Sequence, residues 1–429
     1  MSASTPSRRD FVAASAAVAG SLAFNAGLYA QGKHTMKVGL VGCGGRGKGA
    51  VGDVLNADSD VEIVAFCDVF EDRAKGALES FKNNKKWADH IKATPESCFG
   101  GLDGYKKLIN HPDVNYVILA TPPGFRPYHL EEAVKAGKHI FCEKPVAVDV
   151  TGILKVQGLY KMAEEKKLKI AAGTQRRHDA NYVEMMKRVR DGLIGDITSA
   201  RAYWNGSGIW FNARQKGMSD SRYQLHNWYH FLWLCGDHIC EQHVHNLDVV
   251  NWALDATPIR ATGMGGRSNR KVGDPSEVGH IFDHFAVEFE YPNGVIVQSY
   301  CRQIEGTPGN VSEALVGTKG RISTYGGFTL NGKPFLNDGG TRPYVQEHAD
   351  LIRAIREDAV LNELKNVTDS TMTSILGRMS TYSGKSITAR DALNKPEWRE
   401  DTMPKNLTLD MELPVDPVPV VGKWKPKAG

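Results

Sequence analysis

A short apolar strand near the start of the chain runs straight into a glycine-rich loop, and this junction constrains the fold more than any other feature. Residues 36–41 (MKVGLV) form the predicted strand, and the loop GCGGRG at residues 42–47 leads into a helix-compatible stretch. Gly42 permits a tight turn, Gly44 lets the backbone approach a pyrophosphate, and Gly47 allows close packing of helix on strand. The pattern predicts a dinucleotide-binding domain of the Rossmann type, with the phosphates at the helix N-terminus. The loop residues that we expect to contact the dinucleotide are Gly42, Gly44, Gly45, Arg46 and Gly47.

The next predicted strand ends in a carboxylate that bears on which dinucleotide is bound. Residues 61–66 are apolar and lead into Cys67 and Asp68. A carboxylate at this position accepts hydrogen bonds from both ribose hydroxyls and repels a 2′-phosphate. The sequence therefore favours NAD over NADP, although Arg73 is close enough in sequence to weaken that preference.

Two further predicted strands end in segments that should border the nicotinamide. Residues 115–120 run into Thr121-Pro122-Pro123, and residues 138–142 run into Glu143-Lys144-Pro145. In an open parallel sheet the ligand crevice lies outside the carboxyl ends of the strands. Lys144 at that edge can act electrostatically or as a proton donor.

The pattern changes after about residue 172, from alternating strands and helices to longer strands with hairpin turns. Apolar and polar residues alternate over residues 285–291 and 295–299, with Pro292-Asn293-Gly294 turning the chain between them. Such alternation predicts a sheet with one covered face.

The chain resembles the Gfo/Idh/MocA family of glucose-fructose oxidoreductases, inositol dehydrogenases and their relatives, from about residue 36 to about residue 392. The resemblance rests on the loop at residues 42–47, on Asp68, on Thr121-Pro122-Pro123 and above all on Cys142-Glu143-Lys144-Pro145. It implies that Lys144 lies beside the nicotinamide and the reacting carbon. It also implies that Gln175 and Arg176, where the family chain leaves the nucleotide domain, touch the nicotinamide side of the cofactor.

The resemblance and the residue patterns together imply an α/β protein. Its N-terminal domain is a Rossmann domain with a doubly wound parallel sheet, and its C-terminal α+β domain has a largely antiparallel, open-faced sheet. The expected segments are an export segment (1–34), the NAD(P)-binding domain (35–172), a substrate and oligomerisation domain (173–392) and a C-terminal tail (393–429). Two helices predicted at residues 346–358 and 370–386 pack back on the Rossmann domain in the family, and the open sheet face implies a homo-oligomer, a dimer or a tetramer.

Residues 236–252 carry the densest cluster of titratable side chains. On one continuous helix Glu241, His245, Asp248 and Trp252 share a face, because they are three or four residues apart. A carboxylate one turn from a histidine orients the ring and supports its cationic form, so the pair is a sensible acid–base unit.

In the family, Asp-x-x-x-His places its histidine next to the Glu-Lys-Pro lysine. The resemblance therefore assigns Lys144, His245 and Glu241 to the catalytic site. Glu241 replaces the family Asp, and its extra methylene either moves the carboxylate off the substrate hydroxyl or gives His245 a different partner.

Two other interpretations of this segment stay open. A metal site is one, but its candidate ligands lack paired CxxC or HExxH spacing, and we predict no metal. Structural roles for His238 and His243 are the other. The candidate metal ligands would be Cys235, His238, Cys240, Glu241, His243 and His245.

Aromatic side chains stand beside hydrogen-bonding ones at residues 203–205, 210–211 and 224–230. Sugar sites need flat apolar surface for C–H faces and polar groups for hydroxyls. We therefore predict that Trp204, His226 and Trp228 contact the substrate, together with His245.

The first residues are typical of an export signal. Arg8 and Arg9 precede Asp10 and a short apolar run at about residues 13–23, which indicates the twin-arginine (Tat) route to the periplasm and the Tat translocase as a partner. The run is too short for a permanent membrane anchor. The alternative is an unstructured tail on a cytoplasmic protein translated from Met36.

Charge and cysteine content exclude some classes of protein. The net charge is +4, from 53 basic and 49 acidic residues that are interspersed, so nucleic-acid binding is not supported. The seven cysteines are odd in number and are expected to be buried, with no disulfide framework.

The predicted function is that of an exported, NAD-dependent oxidoreductase acting on a secondary alcohol of a sugar or glycoside, with the cofactor tightly bound. One alternative is an NAD-dependent glycoside hydrolase that works by transient oxidation and elimination. A second is a non-catalytic sugar-binding protein that keeps only the fold.

Overall fold

The computed structural model describes residues 35–427 except 269, 272 and 338, so the predicted export segment lies outside the described residues. The first sheet contains β1 (Met36–Val41), β2 (Val61–Cys67), β3 (Cys98–Phe99), β4 (Tyr116–Leu119), β5 (His139–Cys142) and β6 (Ile170–Ala172). All six strands are parallel, in the order β3-β2-β1-β4-β5-β6. This is the doubly wound order of dinucleotide-binding domains.

Helices cover both faces of this sheet, as parallel sheets require. Along β4, Tyr116 and Ile118 face one core, whereas Val117 and Leu119 face the other. The helices of this domain are α1 (Gly45–Ala57), α2 (Glu71–Lys82), α3 (Gly104–Ile109), α4 (Arg126–Lys135) and α5 (Val150–Glu165).

Among the described residues, the second sheet has nine strands and is antiparallel except where β7 pairs with β10. Its strands are β7 (Ile197–Gly206), β8 (Arg260–Gly266), β9 (His284–Glu290), β10 (Ile296–Gln303), β11 (Asn310–Gly317), β12 (Arg321–Ser323), β13 (Phe328–Leu330), β14 (Lys333–Leu336) and β15 (Ile387–Thr388). Their order is β14-β13-β12-β11-β7-β10-β9-β8-β15. The predicted fold class is confirmed.

The remaining helices follow β6 along the chain. They are α6 (Ala180–Arg190), α7 (Asp220–His226), α8 (Leu232–Cys235), α9 (His238–Glu241), α10 (Val244–Leu254), α11 (Pro275–Val278), α12 (Pro343–Arg356), α13 (Leu364–Ser383) and α14 (Ala389–Asn394). α10 and α13 pack on one face of the second sheet, α12 packs on α1, and α13 also contacts α5.

The described residues after 393, up to 427, pack against the rest of the same chain. The Gln224 side chain donates to the carbonyl of Leu413 at 2.6 Å, and Glu400 pairs with the buried Arg378. No helix within the described residues has both the length and the apolar character needed to cross a membrane.

Candidate active site

The loop at residues 42–47 has the shape expected of a phosphate cradle. Gly42 has φ +100°, and a Cβ there would lie 2.6 Å from the carbonyl carbon of Ala120. A Cβ on Gly47 would lie 1.8 Å from the Gly42 oxygen, so only glycine lets α1 approach the loop. Gly44 caps α1 without a side-chain hydrogen bond, and a Cβ on Gly44 or Gly45 would meet no atom within 4 Å. The first N–H groups of α1 therefore border open space, which fits a dinucleotide phosphate.

Asp68 is tied to the same loop. Its carboxylate accepts from the backbone N–H of Cys43 at 2.8 Å and from that of Phe70 at 3.0 Å. Burial raises the pKa of this carboxyl, and the two N–H donors oppose the shift. Arg73 lies nearby but donates toward His226, at 3.0 Å, and lies over the Phe70 ring.

Arg46 joins the glycine loop to α12 of the returning chain. Its guanidinium pairs with Glu143, with Asp53 at 2.9 Å and with Glu347 at 3.2 Å, and it lies over the Tyr344 ring. Sequence reasoning placed Arg46 on the cofactor. The structure adds that it joins residues of the first domain to α12, and Arg46 and Tyr344 also line the cleft described below.

Lys144 lies at the carboxyl end of β5, beside the segment that follows β4. Its ammonium group donates to the backbone carbonyl of Glu241 and lies 3.2 Å from the Glu241 carboxylate. Both side chains are buried. Burial raises the pKa of the Glu241 carboxyl, and the Lys144 ammonium opposes that shift. The second carboxylate oxygen, Oε2, has no hydrogen-bond partner among the described residues.

The spacing of Glu241, His245, Asp248 and Trp252 predicts that they share one helix, and the structure corrects this. The helix is interrupted at Gln242 and His243, between α9 and α10. The Glu241 carbonyl, which would bind the His245 N–H in a continuous helix, accepts from Lys144 instead, and the His245 N–H contacts the Gln242 carbonyl at 3.3 Å. A tertiary contact thus replaces a helical hydrogen bond.

The side chains that were to interact along that helix have other partners in the structure. Glu241 pairs with Lys144, and Asp248 accepts two hydrogen bonds from Arg177 and one from Ser370. His245 instead stacks on Trp204, with ring centroids 5.7 Å apart. Its Nδ1 has no hydrogen-bond partner among the described residues.

His245 is neutral in this environment. Burial, together with the positive charges of Lys144 and Arg176, lowers its pKa well below the usual value. A neutral imidazole can accept a proton, so the site contains a base next to the Lys144–Glu241 pair.

These groups lie in a cleft of about 530 Å³ that runs from the glycine loop to α10. A pocket of this size is typical of a small-molecule site. The predicted site residues that line it are Gly42, Gly44, Gly45, Arg46, Asp68, Thr121, Pro122, Pro123, Glu143, Lys144, Trp204, Trp228, Glu241 and His245.

Four predicted residues are placed elsewhere. Gly47 lies behind the loop, and Gln175 reaches Tyr344 at 3.4 Å. Arg176 pairs with Glu313 at 3.2 Å. Each of the three contacts a residue that lines the cleft, since Gly47 packs on Gly42, Gln175 lies against Tyr344, and Arg176 lies over the Trp204 ring.

His226 is the fourth, and its prediction as a substrate contact needs correction. Its ring stacks on Phe70 at 4.4 Å and its Nδ1 contacts Arg73, so it lies beside the Asp68 end of the cleft rather than beside Lys144. Long-range packing of α7 on the segment after β2 decides this, and no local pattern revealed it.

The cleft also contains residues that sequence reasoning missed. Arg126 at the start of α4 is buried and donates to the carbonyl of Thr121 at 2.6 Å. It follows the predicted Thr121-Pro122-Pro123 segment closely, so its position on the crevice edge was a usable signal. Tyr344 had no such signal, because α12 returns from far along the chain.

The histidines and cysteines of the 235–245 segment do not come together as one cluster of ligands. His243 contacts the Ser299 hydroxyl at 2.7 Å, and Cys235 and Cys240 are buried free thiols. Among the described residues, no group of three or more His, Cys, Asp or Glu side chains is placed to hold a metal ion.

A glycine cradle, a carboxylate after β2 and a lysine–glutamate pair facing a neutral histidine define a two-domain dinucleotide-binding protein. Residues 36–174 match the model of the oxidoreductase family with an NAD-binding Rossmann fold, and residues 182–323 match the Gfo/Idh/MocA C-terminal domain. The chain belongs to the Gfo/Idh/MocA family.

Two relatives each share about a quarter of their residues with this chain over the matched region. The chain is 26% identical to inositol 2-dehydrogenase of Gluconacetobacter diazotrophicus over 56% of this chain and 60% of that one. It is also 26% identical to a glycosyl hydrolase family 109 protein of Streptomyces coelicolor over 53% of this chain and 46% of that one. The chain thus spans about half the length of these relatives.

Among solved structures, myo-inositol dehydrogenase from Lactobacillus casei, in complex with NAD(H) and myo-inositol, has a similar fold. Its TM-score is 0.61 at 18% identity, covering 83% of this chain and 97% of that one. At this identity the similarity establishes the fold alone.

Proposed function

We propose that this protein is an NAD-dependent oxidoreductase that transfers a hydride between a secondary alcohol carbon of a sugar or glycoside and a tightly bound nicotinamide cofactor. The observation that carries the proposal is the convergence of Lys144, Glu241 and His245 in the cleft that begins at the glycine loop. The names of the inositol 2-dehydrogenase relatives support a polyol or sugar substrate.

The cofactor would be held by the glycine loop at its phosphates and by Asp68 at its ribose. The loop glycines leave the space that a pyrophosphate needs, and Asp68 favours NAD because a 2′-phosphate would meet a carboxylate. When bound, NAD supplies the hydride acceptor.

Three residues of the chain act on the proton and the oxygen of the reacting substrate hydroxyl. Neutral His245 takes the hydroxyl proton, and Lys144 donates to the alcohol oxygen as negative charge develops on it. Glu241 holds the ammonium group in place, and its unpartnered Oε2 can accept from a second substrate hydroxyl.

Two variants test this assignment. We expect Lys144→Met and His245→Gln each to lower hydride transfer by about 10²- to 10⁴-fold. Mass spectrometry of nucleotide released on denaturation should find NAD content unchanged. Lys155→Met on the surface of α5 and His111→Gln are matched controls that should keep full activity. Full activity in either site variant would exclude that residue's role.

A net glycoside hydrolase is the second candidate, favoured by the match to the family 109 protein. Such an enzyme would oxidise a glycoside transiently, eliminate the aglycone and reduce the product again. Incubation with p-nitrophenyl glycosides without added NAD separates the two. Release of p-nitrophenol supports the hydrolase, whereas accumulation of keto-sugar or of reduced cofactor supports the dehydrogenase.

We also propose export through the Tat pathway to the periplasm, supported by Arg8 and Arg9 in the sequence. Tat carries folded proteins, so the cofactor would be loaded first. The Arg46 clamp across the glycine loop supports tight retention, because it ties α1 to α12 beside the nucleotide site.

A homo-oligomer, a dimer or a tetramer, is proposed from the uncovered face of the second sheet. Met264, Ala286, Tyr300 and Tyr203 lie side by side across four strands, and Met264 is 74% exposed. An apolar strip of this kind is typical of an interface. Sedimentation of the purified protein tests the proposal, and a monomer at all concentrations would contradict it.

A further inference from the structure

We infer that the mouth of the cleft holds a second sugar ring against Trp210, so that the substrate is a disaccharide or a longer glycoside rather than a single ring. This inference rests on the proposed function, whose sugar substrate it specifies. Trp210 lines the cleft, yet it is 45% exposed. A large aromatic side chain left in solvent at a cleft mouth is a feature of ligand contact.

Trp210 is held in this exposed position by buried groups. It belongs to the irregular segment at residues 207–219 between β7 and α7. His230 Nε2 donates to the Trp210 carbonyl at 2.8 Å. Burial lowers the pKa of His230 to about 4, so the ring is neutral and Nε2 carries the proton of this bond.

Asn227 fastens the same segment two residues further on. Its side-chain oxygen accepts from the Asn212 N–H at 2.8 Å, and its side-chain amide donates to the Asn212 carbonyl at 3.0 Å. Asn227 is fully buried. Two paired hydrogen bonds from a buried amide keep the segment in one conformation, so the position of Trp210 is a built feature of the fold.

Three tryptophans that line the cleft, Trp204, Trp228 and Trp210, form an aromatic wall in which Trp210 is the most exposed. Trp204 stacks on His245 and so marks the chemical end of the cleft. Trp228 is half-buried and contacts the buried Tyr229 at 5.4 Å. Trp210 lies 6.2 Å from Trp228, ring to ring, and reaches solvent.

A single ring bound at Lys144, Glu241 and His245 has its aromatic partner in Trp204. Trp228 and Trp210 then remain as apolar surface that this first sugar ring does not cover. The flat C–H face of a pyranose matches an indole ring, and its hydroxyls at the rim stay in water. The wall therefore fits a second ring that is linked to the reacting one.

The direct test is ¹⁹F NMR of the NAD-loaded protein labelled with 5-fluorotryptophan. The chain has eight tryptophans, and Trp210→Phe assigns the Trp210 resonance. Cellobiose, lactose, maltose and sucrose are compared with methyl glucoside and methyl galactoside. We expect the Trp210 resonance to shift with at least one disaccharide and with neither methyl glycoside.

Steady-state kinetics then measure how much the Trp210 indole contributes to kcat/KM. Trp210→Ala should lower kcat/KM for the responding disaccharide by roughly three- to tenfold and leave that for a methyl glycoside within about twofold. Tyr325→Ala is the matched control, since Tyr325 is 62% exposed and does not line the cleft.

Two outcomes would overturn the inference. One is a Trp210 resonance that no disaccharide moves, and the other is an equal loss for disaccharide and methyl glycoside in Trp210→Ala. If no sugar is oxidised or cleaved, the proposed function fails, whereas a disaccharide-specific shift of Trp210 would still establish the ring site.

Discussion

At the scale of single residues, the surroundings of His245 determine its chemistry. Its ring is buried against Trp204, and Lys144 and Arg176 add positive charge nearby. All three effects disfavour the imidazolium form, so the base is available without a carboxylate partner. This differs from the acid–base pair expected from sequence, in which Glu241 would support the cation.

The pH profile of kcat/KM tests whether His245 is the neutral base. Because the pKa of His245 is lowered, the ring stays neutral as the pH falls through the usual histidine range, and the acid limb should lie below about pH 6.5. Arg176→Met removes one of the charges and should move the limb to higher pH. An acid limb at or above about pH 6.5 in the unmodified protein would contradict the assignment.

At the scale of elements, His178 joins the turn after β6 to two late helices. Its Nδ1 lies 2.7 Å from the carboxylate of Asp350 on α12, and its Nε2 lies 3.3 Å from that of Glu363 at the start of α13. Burial lowers its pKa, but the hydrogen bonds to these carboxylates prevail and raise it to about 10. The junction between the domains thus depends on a charged histidine.

His178→Gln should therefore destabilise the protein in a pH-dependent way. The raised pKa means that the contribution is complete below the unfolded value, about pH 6.5, and is lost as pH rises toward about 10. We expect a loss of about 1–3 kcal/mol in the free energy of unfolding at about pH 6 and a much smaller loss at about pH 9.5. Urea unfolding at both pH values measures this loss in the free energy of unfolding. His90→Gln is the control, and an equal loss at the two pH values would count against a charged His178.

At the scale of the whole molecule, the burial of the cysteines is compatible with the export proposed above. All seven cysteines are buried free thiols, so an oxidising compartment has little access to them. The Arg46 clamp joins α1 to α12, so a helix from far along the chain is tied to the nucleotide site.

Replacing Arg8 and Arg9 together by lysine tests export. In a bacterium with a Tat translocase, we expect the unmodified protein in the periplasm and the variant in the cytoplasm, because the twin arginine is what the translocase binds. Both should carry close to one NAD per chain by mass spectrometry after denaturation. An unchanged distribution between the compartments would argue against Tat export, and little NAD in the periplasmic protein would argue against loading before export.

Local patterns predicted much of the first domain. The strand at residues 36–41, the glycine loop and the segments after β4 and β5 are all set by interactions within a few residues, and the structure has each of them at the expected sheet edge. The alternation at residues 285–291 likewise predicted β9 to within a residue at each end. Periodicity and turn chemistry are local, so one chain is enough to reveal them.

The sequence by itself therefore determined the fold class, the glycine loop and the presence of Lys144, Glu241 and His245 near one crevice. Only the tertiary structure decided how they are paired. Lys144 donates to the Glu241 carbonyl that a continuous helix would have used, and it also pairs with the Glu241 carboxylate, so His245 lacks its expected partner. That contact joins residues 97 positions apart in the sequence. It forms only when the two domains pack together, so no local sequence pattern could predict it.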